Sequence, residues 1–414
     1  MAALQPGTTR IDLVVVRRRT TTLLSGAQVL GGLAVAGSLP AGALIGASLG
    51  GTAAAGLAQT AGVLGAALLA LPLARIALTR GRRVSLATGY GLGALGAGAV
   101  VVAGVTRSLP MLMLGCLLLG AANAAGYQAR YAATDLAEPR HRGRALAIVV
   151  WAGTVGAVLG PNLLQFSGRL AVNAGLPQLT GPFVLATAVL TLAAALLLML
   201  LRPDPYLLSL ARTVGKDSPR PRLRDGLAHL RGHRLGQLGI VAVSVGHLAM
   251  IMVMVMTPVH MAHVDVSLQL IGLVISVHVL GMFALSPVVG WGVDRYGRQP
   301  VIAGGAVVLL LACAVSAMAP ADDAVTLGAG LFLLGLGWSC TLIAGSTLLT
   351  DDADEAQRPA IQGLSDLTMN VAGAAGGILA GVIVVWLSYA ALCAAAAVPV
   401  LGLLVLLAAS RRTA

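Results

Sequence analysis

The chain has 414 residues, of which 57% are apolar and 10% charged, with 53 glycines and a formal net charge of +12. Soluble proteins carry about a quarter charged residues, so this composition excludes soluble-enzyme, disordered, fibrous and coiled-coil classes and leaves a membrane protein. The positive charge does not point to nucleic acid, because the basic residues gather in short segments between long apolar runs.

Crossing a bilayer takes roughly 20 apolar residues, and the uncharged runs supply twelve predicted spans. The first, over 21–44, follows Arg17, Arg18 and Arg19. This start looks like a signal peptide, but the apolar sequence continues to Ala74 and no soluble domain follows, so a first span with its basic anchor is expected. Spans over 50–74, 84–106, 109–131, 145–166 and 179–201 complete the first set.

Residues 202–235 interrupt the pattern with eight basic side chains and three acidic ones, Asp204, Asp217 and Asp225. Pro203, Pro205, Pro219 and Pro221 limit any helix there, although a short surface-lying amphipathic stretch is compatible. Spans over 236–258, 268–290, 299–319, 326–349, 361–383 and 386–409 follow. The expected fold is an all-α membrane protein with a six-helix bundle over 1–201, a cytoplasmic linker over 202–235 and a second six-helix bundle over 236–414. Placing the N-terminus in the cytoplasm leaves only Arg107 and Arg169 among the basic residues outside, so both termini are expected to be cytoplasmic in a bacterial cell membrane. Cys116, Cys313, Cys340 and Cys393 all fall inside spans, which argues against a disulfide framework.

The two sets of spans read as copies of one plan. In the first, Asp135, Glu138, Arg140, Arg142 and Arg144 lead into the glycine-rich span Gly153-Thr-Val-Gly156-Ala-Val-Leu-Gly160-Pro161. In the second, Asp351, Asp352, Asp354, Glu355 and Arg358 lead into Gly373-Ala-Ala-Gly376-Gly377-Ile-Leu-Ala-Gly381. Internal repeats of this kind are the usual architecture of secondary transporters, whereas channels commonly draw symmetry from separate subunits. The spacings Gly156 to Gly160, Gly373 to Gly377 and Gly377 to Gly381 permit close helix approach, and Pro161 can kink its span by removing a backbone donor.

After the eighth span comes Gly290-Trp-Gly-Val-Asp294-Arg295-Tyr-Gly297-Arg298. Asp294 there can pair with arginine or cap a helix end, while Arg295 and Arg298 stay in the headgroup layer. The segment resembles the cytoplasmic signature loop of the major facilitator superfamily. The matching loop between spans two and three, Ala74-Arg75-Ile-Ala-Leu-Thr-Arg80-Gly81-Arg82-Arg83, keeps Gly-Arg and lacks the acid. The pair Gly160-Pro161 is similar to the glycine-proline motif of proton-coupled exporters in that superfamily. Arg130 and Asp366 are the ionisable residues, apart from histidine, within or at the margin of spans. A gate ion pair or snorkelling accounts for them better than a central substrate site. Gln28, Gln59, Asn123, Tyr127 and Gln128 supply other polar atoms in the first set, any of which can simply bond a neighbouring helix.

Six of the 12 methionines and four of the seven histidines fall between residues 247 and 282. Met250 and Met254 share one helical face with His247, Met252 and Met256 face away from them, and His278 is one turn from Met282. Thioether and imidazole together suit Cu(I), while methionine is also an ordinary filler of irregular cores. The stretch resembles the copper-importing branch of the same superfamily, which supplies copper for cytochrome oxidase assembly. That resemblance implies metal ligands at Met250 with Met254, or in a shifted register Met252 with Met256, and at His278 with Met282. His260, Met261 and His263 beside Asp265 either collect metal outside or are plain loop residues after Pro258 ends its helix.

The resulting expectation is a secondary transporter, not an enzyme, acting as a monomer in lipid, with no fixed cofactor and Cu(I), free or complexed, as its cargo. The alternative is a transporter or efflux pump for a small organic compound, with protons as a candidate coupling ion. The four Trp, six Tyr and four Phe offer little stacking surface for bulky planar drugs.

Overall fold

The computed structural model describes residues 13–213, 223–262 and 264–412. The described residues are helical with no strand among them, as expected where lipid supplies no partner for backbone N–H and C=O groups. The first helical stretch, α1 (Leu13–Thr106), is not straight. Gly81 takes φ +87°, the left-handed region that glycine tolerates, and Ser85 Oγ donates back to Leu73 O at 2.7 Å. Two apolar stretches, Leu13–Gly50 and Gly56–Thr106, lie within it, and the turn at Gly81 divides the second of these. With nine further apolar helices, the described residues hold eleven stretches long and apolar enough to cross a membrane, and twelve once the second is divided at Gly81.

The remaining helices are α2 (Leu109–Ala132), α3 (Arg142–Asn162), α4 (Leu164–Asn173), α5 (Gly181–Leu200), α6 (Pro205–Thr213), α7 (Leu223–Gly232), α8 (Arg234–Ala262), α9 (Leu268–Phe283), α10 (Ser286–Tyr296), α11 (Arg298–Met318), α12 (Ala324–Asp352), α13 (Arg358–Trp386) and α14 (Tyr389–Arg412). Side-chain caps mark several starts: Ser108 Oγ accepts from Met111 N at 3.4 Å, and Asp323 Oδ1 accepts from Val325 N and Thr326 N.

Three boundaries depart from the sequence reading, and each involves proline. The span expected over 145–166 divides into α3 and α4 just after Pro161, and that expected over 268–290 divides into α9 and α10 just before Pro287. In both places an unbroken helix would lack the hydrogen bond that the proline has no N–H to make. Pro258, expected to end its helix, lies inside α8, which runs on to Ala262. The linker is also more helical than its prolines suggested: Pro205 opens α6, in the first turn where proline costs no hydrogen bond.

One apolar core joins α1, α2, α3 and α5 through residues such as Leu24, Tyr90, Phe183 and Leu197. Another joins α8 to α14 and takes in Tyr131, Leu146 and Val150 from the first half. Glycines set the closest approaches. A Cβ on Gly156 would lie 2.2 Å from Val29 O, and one on Gly160 would lie 2.6 Å from Gly37 N, so α3 meets α1 backbone to backbone. In the glycine-rich second half of α13 the close contacts are made by Gly373, against the His247 ring, and by Gly376, against Leu248 O. Gly377 has only Ile251 at 3.9 Å and Gly381 faces open space, so the expected Gly373–Gly377–Gly381 spacing is not a packing seam.

Candidate functional site

A cavity of about 200 Å³ lies between the two halves. Gln28 and Tyr90 reach it from α1, and Asn123, Tyr127 and Arg130 reach it from α2. Facing them are Met282 and Phe283 of α9 with Trp338 and Leu342 of α12. The hydrogen-bonding side chains therefore come from the first half, while the second half contributes an apolar, aromatic wall. Gln28 Oε1, Tyr90 OH and Arg130 Nε are buried without a hydrogen-bond partner. Trp338 is fixed in orientation, because its Nε1–H donates to His247 Nδ1 at 3.1 Å and Phe283 meets it edge-on at 5.8 Å. A smaller pocket of about 40 Å³ shares Val35 and Asn123 and continues past Ser38, Gln59 and Cys116.

The linker side of the cavity is closed by polar contacts between the halves. Arg130 Nη2 donates to Asp366 Oδ1 at 2.8 Å, with both side chains almost fully buried. The Arg130 guanidinium also lies 5.4 Å from the Tyr127 ring and 4.8 Å from the Tyr131 ring, and Tyr131 OH donates to Ser365 Oγ. Below this pair, Arg82 holds Asp135 at 2.9 Å within its own half and also donates to Gln362 Oε1 of the other. Arg298 holds Asp351 at 2.7 Å in the second half and donates to Pro139 O of the first, and Arg142 reaches across to the same Asp351 at 2.6 Å.

These contacts repeat with a pseudo-twofold relation. Gly290 packs on Ala147 as Gly363 packs on Ala74, and Gly81–Arg82 corresponds to Gly297–Arg298 at the same shift along the chain. Asp294 accepts from Gly143 N and Arg144 N, both at 2.9 Å, and so caps α3 from across the interface. Arg295 is exposed beside it. Leu78 stands at the position in the first half that corresponds to Asp294, in an apolar cluster with Ala360 and Tyr206. Here α6 takes part: Asp204 accepts from Arg83 N at 2.8 Å in the first half, and Tyr206 OH donates to Ala356 O at 2.6 Å in the second. In the loop before α3, the hydrogen bond and charge of Arg140 hold the Glu138 carboxyl below its ordinary range.

The proposed metal ligands take different directions. His278 is buried with Nδ1 against Leu331 O at 2.8 Å, and its Nε2 has no partner. His247 accepts from Trp338, Met250 and Met252 are buried in the apolar core, and Met254 and Met256 pack against that core. Of the set Met250, Met254, His278, Met282 and His247, Met282 alone lines the cavity. Among the described residues no group of three or more His, Cys, Asp or Glu side chains is placed to hold a metal ion. Of the outer candidates, Met261 is buried, His260 stacks on Tyr389 at 4.2 Å, and His263 lies outside the described residues. The sequence reading named Gln28, Asn123 and Tyr127 but missed Tyr90, Phe283 and Trp338. It also gave Arg82 no partner, although its equivalence to Arg298 in the repeated loop carried the signal.

A cavity enclosed by two repeated helical halves and sealed at one end defines a membrane transporter rather than an enzyme. Comparison with known proteins agrees: the Major Facilitator Superfamily model matches residues 24–263 and 238–414, and the chain belongs to that superfamily. It is 39% identical to the uncharacterized MFS-type transporter YdeG of Bacillus subtilis (strain 168), over 91% of this chain and 88% of that protein. It is 30% identical to the riboflavin transporter RfnT of Brucella anthropi, over 88% of each chain. Among solved structures, the Escherichia coli fucose:proton symporter FucP superposes with a TM-score of 0.71 at 17% identity, covering 95% of this chain and 98% of that one, a likeness of fold.

Proposed function

We propose that this transporter moves a small organic solute through the central cavity by alternating access, and that the linker end is cytoplasmic. The carrying observation is the cavity lining: hydrogen-bonding side chains with unpartnered atoms face an aromatic wall, while four of the five soft-ligand candidates lie outside it. A buried polar atom without a partner is costly, and a solute with its own donors and acceptors removes that cost. Similarity to the riboflavin transporter RfnT supports an organic cargo. The basic residues gathered at the linker end support its cytoplasmic placement, and with that end sealed the conformation is one closed to the cytoplasm.

Protons are the coupling ion in this reading. Asp366 is the protonatable partner of Arg130, which lines the cavity, so neutralising its carboxylate frees the guanidinium and loosens the contact between halves. Reconstituted vesicles with and without an imposed pH gradient test this, with riboflavin as the first solute and copper-starved cells assayed for Cu(I) uptake in parallel. Solute accumulation that follows the pH gradient is the expected result. Cu(I) uptake abolished by His278→Ala, with no organic uptake, overturns the reading in favour of a Cu(I) importer.

A further inference from the structure

The two walls of the cavity differ in chemistry in a way that narrows the solute. From this we infer that the cargo is a small planar heteroaromatic molecule with a lactam-like edge, an N–H beside a C=O. The inference rests on the cavity being the transport site.

Two features carry it. First, the aromatic wall can offer only surface: the one indole donor, Trp338 Nε1–H, is already given to His247, and Phe283 stands edge-on to the indole at an interplanar angle of 85°. A solute gains there by stacking, not by hydrogen bonding. Second, the opposite wall holds unpartnered groups of both kinds. The Gln28 amide can donate and accept, Tyr90 OH can do either, and Arg130 Nε can donate. Tyr90 is fully buried, so its hydroxyl has no recourse to solvent.

Other chemistries fit less well. A polyol carries hydroxyls on every side, and those facing Met282, Phe283, Trp338 and Leu342 would go unpaired. A wholly apolar solute would leave Gln28 and Tyr90 desolvated. A soft metal ion would meet Met282 as the one lining thioether. A flat ring with a lactam edge satisfies both walls at once.

The test is equilibrium binding and thermal stabilisation of the purified full chain. Hypoxanthine, pterin and alloxazine are compared with myo-inositol, xylose and Ag(I). At least one planar lactam is expected to bind and raise Tm. Trp338→Leu should weaken that binding about tenfold, the loss of one stacked aromatic contact. Trp338→Phe, which keeps a ring, should retain most of it. Gln28→Leu should weaken binding with the unliganded Tm unchanged, which guards against misfolding as the cause. No binding by any planar member overturns the inference. Binding of inositol or xylose insensitive to Trp338→Leu also overturns it while leaving an organic-solute transporter in place. Ag(I) binding with no organic binding overturns both.

Discussion

Leu78 takes the place in the first half that Asp294 takes in the second, and the helix each one faces explains the difference. Asp294 finds two free donors, Gly143 N and Arg144 N, at the start of α3. The corresponding residues of α13 are Pro359, which has no N–H, and Ala360, whose N–H is already given to Gln357 O at 3.0 Å. A carboxylate there would have nothing to cap, so the first-half loop lacks its acid and closes with apolar contact and α6 instead. The prediction is that Asp294→Leu opens the linker end. It removes the cap from one part-buried donor, Gly143 N, and one exposed donor, Arg144 N, at about 1 kcal/mol in total, and labelling of an Asn123→Cys thiol by a reagent applied from the linker side should rise.

Tyr206→Phe should act at the other interface. Loss of the donor to Ala356 O at 2.6 Å costs about 1 kcal/mol of the closed state. The same thiol should label faster, with solute affinity little changed because Tyr206 does not line the cavity. Unchanged labelling would show that α6 merely lies on the surface.

Asp366→Asn should cost more than either. Removing one partner of a buried ion pair leaves an uncompensated guanidinium, about 3–5 kcal/mol, and Arg130 and Asp366 are almost wholly enclosed. The expected readouts are a lower Tm and uptake that no longer responds to a pH gradient. Normal gradient-driven uptake would remove Asp366 from the coupling role.

Glycine substitutions separate packing from composition. Gly156→Ala places a methyl against Val29 O, a backbone atom that cannot step aside, and should destabilise by about 1–3 kcal/mol or more. Gly381→Ala meets open space and should be neutral or slightly stabilising. Thermal unfolding of the two variants in detergent gives the comparison.

The twelve passes were legible because span length and charge-free runs are fixed by the bilayer, and Asp294 was legible because its loop repeats. The facing of individual side chains was not. A membrane helix such as α8 is apolar all round, so no stripe marks which side meets protein. Met250 and Met252 look opposed on a helical wheel, yet both are buried, because α8 packs against α12, α13 and α14. The spacing of His278 and Met282 suggested one ligand pair. One imidazole nitrogen instead satisfies a backbone carbonyl on α12, a partner that no local pattern displays. The cavity wall was equally hidden, since Trp338 and Phe283 come from different helices and meet only in the fold.

The arrangement of arginines bears on how easily the halves can part. Asp351 is shared by Arg142 from across the interface and Arg298 from its own half, and Asp135 is held by Arg82 of its own half. Separation at the linker end therefore strips no carboxylate of its last counter-charge at these two sites. Each travels with a resident arginine, and the electrostatic barrier to motion stays low. Arg130 and Asp366 are built the opposite way, one on each half. Parting them strands two opposite charges in a low-dielectric interior unless something neutralises one of them, which makes this pair the point at which a proton or a bound solute can set the timing of the whole cycle.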